Sequence, residues 1–157
     1  MTKSVKNQVL RYLYNLKSFG FSYHESFDIF SKEIKNFKLP NDIKELKNSV
    51  EHCYLCELCK VRKNVLFGYG NINSKIMFIC DEPTKSEDEL GSFYVGNSGE
   101  LLSKMIENVL NIKKEDVYIT TLVKCKSLNG ATNSSFDTCN DYLLKQIELI
   151  KPKLIVS

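Results

Sequence analysis

Apolar residues recur at two different periods along this chain, and the change of period divides it. Between Val5 and Ile34, Val9, Leu10, Leu13 and Leu16, then Phe27, Phe30 and Ile34, return at helical spacing, with Gly20 interrupting the pattern. Two helices are predicted there. Asn41 is a candidate cap for a third helix, running from about Asp42 to His52 and delivering the chain into a cysteine run. Residues 1–52 are thus expected to be an N-terminal helical segment, its Tyr, Phe and Lys content read as an amphipathic packing layer rather than a binding arm.

Beyond Gly70 the period shortens. KIMFIC (Lys75 to Cys80), VYITTLV (Val117 to Val123) and KLIVS (Lys153 to Ser157) are short apolar runs rich in β-branched residues, each the length of a buried strand. One-sided helical spacing fills the gaps, from Gly99 to Leu110 and from Asp137 to Ile150. Strand, helix, strand, helix, strand implies right-handed crossovers. The expected fold is therefore α/β, a three-layer α/β/α arrangement with a central parallel sheet, over residues 53–157. Ligands of such sheets gather beyond the carboxyl ends of the strands, here CDEPTKSEDELG after the first run and KCKSLNGATNSS after the second.

The chain has 157 residues, six of them cysteine, and a net charge of +3. A chain of that length builds a core without disulfide staples. No apolar run reaches the roughly 20 residues of a membrane span, and the opening MTKSVKNQVLRYLYNLKS is polar where a signal peptide needs an apolar stretch. A reducing cytoplasm is the expected location, in which thiols are ligands or small buried apolar groups. So small a net charge does not by itself indicate nucleic acid.

Cys53, Cys56 and Cys59 stand at C-x2-C-x2-C spacing before the sheet, while Cys125 and Cys139 flank the polar loop after the second strand. A C-x2-C pair joined to a distant C-x13-C pair is the layout of a four-thiolate site, which suits zinc and an iron–sulfur cluster equally. The three-cysteine run also resembles the opening of a bacterial ferredoxin motif, but the following KVRKN lacks its fourth cysteine. Cys80, at the end of an apolar strand, is expected to be a buried small hydrophobe.

Several further segments occur in order over about a hundred residues. They are Arg62, Val65, Phe67, Gly68 and Gly70 (R-x-x-V-x-F-G-x-G), FICDEP, Glu87, Asp88 and Gly91 (E-D-x-x-G), Val95 to Leu102 (V-G-x-x-G-x-L-L), D-V-Y-I-T with V-K-C from Asp116 to Cys125, and Gln146 to Val156. From Cys53 onward the chain resembles the family 4 uracil-DNA glycosylases, which hold a four-iron, four-sulfur cluster. The resemblance implies excision of uracil from DNA by hydrolysis of its N-glycosidic bond. It selects Cys53, Cys56, Cys125 and Cys139 as cluster ligands, with zinc the alternative metal, and leaves Cys59 a bystander. A cluster so held would be structural, fixing Lys60, Arg62, Lys63, Lys124 and Lys126 along an edge able to meet phosphates.

The same resemblance assigns the reaction site. Where the family has G-E-A-P-G this chain has Cys80, Asp81, Glu82, Pro83 and Thr84, making Asp81 and Glu82 the candidate catalytic carboxylates. Tyr94 replaces the phenylalanine that stacks on uracil, and Thr121 replaces the asparagine that reads its polar edge. The chain ends at Ser157 on its third predicted strand, before the family's histidine-containing loop. A protein partner or a C-terminal continuation is expected to complete it. The rival reading is an inactive DNA-binding relative that keeps the cluster.

Overall fold

A computed structural model describes Asn7, Leu10, Arg11 and Leu13, all helical, and residues 39–157. The two helices expected between Val5 and Ile34 otherwise lie outside the described residues. The next helix, α1 (Ile43–Glu51), is capped by Asp42 rather than Asn41, its carboxylate accepting from the backbone N–H groups of Lys44 and Glu45. Asn41 instead accepts a hydrogen bond from Lys145 at 2.7 Å. A 3-10 turn, Glu57–Lys60, follows in the middle of the cysteine run.

The sheet has four strands in the order β1-β3-β2-β4, where β1 is Tyr69–Gly70, β2 Ile76–Cys80, β3 Tyr118–Thr121 and β4 Leu154–Val156. The predicted three are parallel, Cys80 lying opposite Thr121 and Phe78 opposite both Ile119 and Val156. The sheet is nevertheless mixed, because β1 adds an antiparallel edge against β3. Two glycines permit that edge. A Cβ on Gly70 would lie 1.9 Å from the Val117 carbonyl oxygen, and one on Gly68 would lie 2.3 Å from the Tyr118 hydroxyl.

Between the strands run α2 (Lys85–Leu90), α3 (Gly96–Asn108) and α4 (Asn133–Ile150). Helix α2 begins with a reciprocal capping box, Thr84 with Glu87, and ends on Gly91 in the left-handed region. The strand pleat sends alternate residues to opposite faces. Phe78, Val117 and Ile119 pack with Phe93 and Ile106 on the α3 side, whereas Met77 and Tyr118 pack with Ile150 on the α4 side. Leu46 and Val50 of α1 share a core with Phe67 and Tyr142 of α4. A buried polar group locks these layers, as fully buried Gln146 donates to the Phe67 carbonyl at 2.8 Å and to the Tyr118 hydroxyl at 3.0 Å. Along β4, Leu154, Ile155 and Val156 are exposed.

Candidate functional site

Two places concentrate chemistry, and both lie at the carboxyl end of β3. The first is an enclosed cavity lined by Cys53, Cys56, Cys59, Cys125 and Cys139, with Arg62, Lys124 and Tyr142 among its walls. Three separate stretches deliver these thiols: the exit of α1, the chain just beyond β3, and the second turn of α4. Ordinary helix chemistry sets the last of these, because Thr132 caps α4 by accepting from the Ser135 N–H. Buried Cys139 then faces inward from the helix while Cys125 emerges from the strand.

Four of the thiols have a polar neighbour. The Tyr142 hydroxyl acts on Cys53, the Leu58 backbone N–H on Cys56, and the Lys124 backbone N–H on Cys139. Cys125 accepts from the Arg62 guanidinium at 3.1 Å. Burial pushes the Cys125 thiol up to about 12 and the Cys139 thiol up to about 11, with Arg62 and the Lys124 N–H respectively opposing the rise. Sulfurs beside N–H groups and fixed cations suit anionic thiolates, so the donor set fits a thiolate-bound metal core. Among the described residues no three His, Cys, Asp or Glu side chains are already gathered on one point.

Lys124 links this cavity to the strand. Its ammonium is fully buried and donates to the Thr120 hydroxyl at 2.6 Å and to the Thr121 carbonyl. Burial lowers its pKa to about 7, although Cys139 and Cys125 work in the opposite sense. This overturns the expectation that Lys124 belongs to a phosphate-binding edge. The other cations of that edge are engaged as well: Lys60 with Glu57 at 2.8 Å, Lys63 with Glu89 at 3.3 Å, Lys126 with Glu82 at 2.7 Å, and Arg62 with sulfur. Cys80 is exposed rather than buried, at the end of β2.

The second place is formed by the ends of β2 and β3. Asp81 is exposed, and its backbone is held because its carbonyl accepts from the Val123 N–H at 3.0 Å. Glu82 turns away toward the loop that follows Cys125, where it accepts from Lys126 and from both the hydroxyl and the backbone N–H of Ser127. Burial opposes its charge, but these bonds prevail and hold its carboxyl below the ordinary carboxylate range. Thr121 is buried, its hydroxyl 3.5 Å from the Leu66 carbonyl oxygen. Tyr94 sits at a positive φ of 62° with its backbone against Gly99, where an added Cβ would approach to 2.6 Å. Its ring meets Tyr69 edge-on at 6.1 Å, and its hydroxyl is buried with no hydrogen-bond partner among the described residues. Burial and the neighbouring Cys80 both raise its pKa.

The profile of the uracil DNA glycosylase superfamily matches residues 67–157. The chain belongs to that superfamily. It is 40% identical over 114 residues to the type-4 uracil-DNA glycosylase of Saccharolobus solfataricus, an alignment covering 71% of this chain and 53% of the relative. The type-4 enzymes of Thermotoga maritima (38% over 110 residues; 69% and 57% covered) and Archaeoglobus fulgidus (35% over 114 residues; 71% and 57% covered) are similar to it too. The chain spans about half the length of these curated relatives. Among the described residues no helix is long and apolar enough to cross a membrane.

Within this superfamily member, several residues matter that sequence reasoning passed over. Asp88 is buried and accepts from the backbone N–H groups of Lys63 and Asn64, which pins the segment that leaves the cysteine run to α2. Arg11 reaches α4 from the N-terminal segment, pairing with Asp141 at 2.6 Å and lying 4.7 Å over the Tyr142 ring. The E-D-x-x-G pattern hinted at the first of these. Nothing local marked Arg11, whose partners are over a hundred residues away.

Proposed function

We propose that this chain is the cluster-bearing part of a uracil-DNA glycosylase that hydrolyses the N-glycosidic bond of uracil in DNA. One observation carries the reading: in a member of this superfamily, thiols from three distant segments line one cavity, and one of them, Cys125, accepts a hydrogen bond from Arg62. Cys53, Cys56, Cys125 and Cys139 would hold a four-iron, four-sulfur cluster. When bound it would supply cross-linking of these segments rather than reaction chemistry. Unpaired thiols of this kind persist in a reducing cytoplasm, the compartment that the reading assigns.

Substrate uracil leaves the base stack at a cost of a few kcal/mol, least for a mispaired or single-stranded base. Tyr94 offers its ring as the stacking surface, held at that angle by Gly99 and Tyr69. Asp81 points its carboxylate into solvent from a fixed backbone, and is suited to hold a water and to balance the oxocarbenium charge that develops as the bond breaks. Glu82 is a positioning residue in this scheme, tying the acidic turn to the cluster loop through Lys126 and Ser127. Thr121 lies across from Cys80 and would border the base's polar edge with less selectivity than an amide.

A second reading, an inactive DNA-binding relative retaining the cluster, is favoured by one feature. The turn after β2 has Cys80 and Thr84 in place of glycines, and the Thr84 hydroxyl is committed to capping α2. Anaerobic purification with iron and sulfide analysis, followed by incubation with a single-stranded oligonucleotide carrying one uracil, separates the two. Abasic-site formation by the iron-loaded protein supports the enzyme. Salt-sensitive binding without excision supports the relative, and a colourless, zinc-loaded protein would remove the cluster from both.

A further inference from the structure

The cavity has five cysteines around it, one more than a cubane cluster needs. The fifth, Cys59, is held in register with Cys56. Cys56 is the residue that opens the 3-10 turn Glu57–Lys60, and the Cys59 N–H donates to the Cys56 carbonyl at 3.2 Å. Both thiols line the cavity, Cys56 from the extended residue before the turn and Cys59 from within it, and Cys56 has both Cys53 and Cys59 as electrostatic neighbours. Cys59 also shares a cation with the opposite wall, because the Arg62 guanidinium lies in the field of Cys125, Cys53 and Cys59 together. Cys80, the remaining cysteine, is at the exposed end of β2 and has no such position.

We propose that Cys59 is a reserve ligand for this site, able to take the coordination position of Cys56. The exchange is a ligand substitution at one iron. The Cys59 thiol gives up its proton and forms an Fe–S bond, the Cys56 sulfur leaves that iron and takes up a proton, and no oxidation state changes. The required movement is local to the cysteine run, whereas replacement of Cys125 or Cys139 would have to cross the cavity. Those two are therefore expected to be irreplaceable. The inference rests on the cluster reading above, so its test includes a control for that reading.

Four proteins are purified anaerobically: wild type, C59A, C56A and C56A/C59A, alanine being chosen throughout because a serine oxygen could itself ligate iron. Iron and acid-labile sulfide are measured, and loaded proteins are alkylated with iodoacetamide and mapped by mass spectrometry. An iron-free wild type would remove the cluster reading itself. With wild type and C59A both loaded, the expectation is that C56A keeps most of its iron, whereas C56A/C59A falls by about tenfold or more. Cys59 should be alkylated in loaded wild type and protected in loaded C56A. A C56A protein as empty as the double variant, or insoluble where C59A is soluble and loaded, overturns the proposal. So does a loaded C56A in which Cys59 is still alkylated.

Discussion

The cysteine cavity and the ends of β2 and β3 are built to different standards, although Lys124 spans both. In the cavity each of the four assigned thiols has a polar neighbour, Arg62 reaches Cys125, and Arg11 arrives from the N-terminal segment to pack over Tyr142, although its buried Nε is left without a partner among the described residues. At the strand ends Asp81 is exposed, the Tyr94 hydroxyl has no partner among the described residues, and Tyr94 holds a left-handed backbone. Buried polar groups are costly unless satisfied, so a region whose groups are largely paired is one whose purpose is to hold the fold. Groups left strained or unsatisfied at the end of a parallel sheet mark a region whose partner is a ligand. The contrast predicts that substitutions in the first region will act on stability and metal content, and those in the second on turnover.

The sharpest test is Cys125→Ala. It should abolish most iron binding and cost about 3 kcal/mol or more, since on the proposed reading cluster binding and folding of the cavity are one equilibrium. Thermal unfolding would report a fall of roughly 6–12 °C. A Cys125→Ala protein with wild-type iron and melting point would erase the distinction between the two regions. Asp81→Asn should do the reverse. Excision is expected to drop about a hundredfold or more, the scale of a lost acid–base or charge-stabilising group, with iron content unchanged. A melting point that moves with the activity would mean that Asp81 serves the fold instead.

Tyr94 gives a smaller and more discriminating effect. Truncation to alanine removes the stacking surface and should weaken binding of uracil-containing single strands by roughly 1–3 kcal/mol. Phenylalanine keeps the ring while deleting a hydroxyl that has no partner among the described residues, so Tyr94→Phe should gain about 1 kcal/mol of stability. If the phenylalanine variant instead loses stability, the hydroxyl has a partner in solution and the strand ends are less open than argued. Paired measurements of melting point and oligonucleotide affinity decide this.

Much of this architecture was legible in the amino-acid order, and the failures share a cause. KIMFIC and VYITTLV announced parallel strands because burial demands unbroken apolar runs, and KLIVS announced a third through its β-branched composition although its residues are exposed. Tyr69–Gly70 announced nothing, since a two-residue edge has no period of its own and exists only through its pairing with β3. Helix α2 was written in T-K-S-E, a capping box that was overlooked because its helix is short and polar. Lys124 was misplaced on the basic edge for a different reason. Sequence shows where a lysine is but not what it meets, and this one is buried against Thr120 and Thr121. Cys59 stood three residues from Cys56 in plain view, yet only the fold shows both lining one cavity.

The finest test lies on the bridge between the two regions. Glu82 accepts from Lys126 and Ser127, and its carboxyl is held below the usual value in the folded protein. Its stabilising contribution is therefore present above the unfolded-state value, near pH 4, and is lost as pH falls through the lower folded value. Glu82→Gln preserves the shape and one acceptor while deleting the charge. At pH 7 it should cost about 1 kcal/mol or less, as partly exposed ion pairs do, and the difference from wild type should vanish on acidification. Denaturant midpoints for both proteins across that interval measure it. Because Glu82 anchors the turn that carries Asp81, the same variant should lower kcat a few-fold while leaving KM and iron content unchanged. A loss of iron would show that the bridge serves the cysteine cavity, and a change in KM alone would show that Glu82 itself faces the nucleic acid.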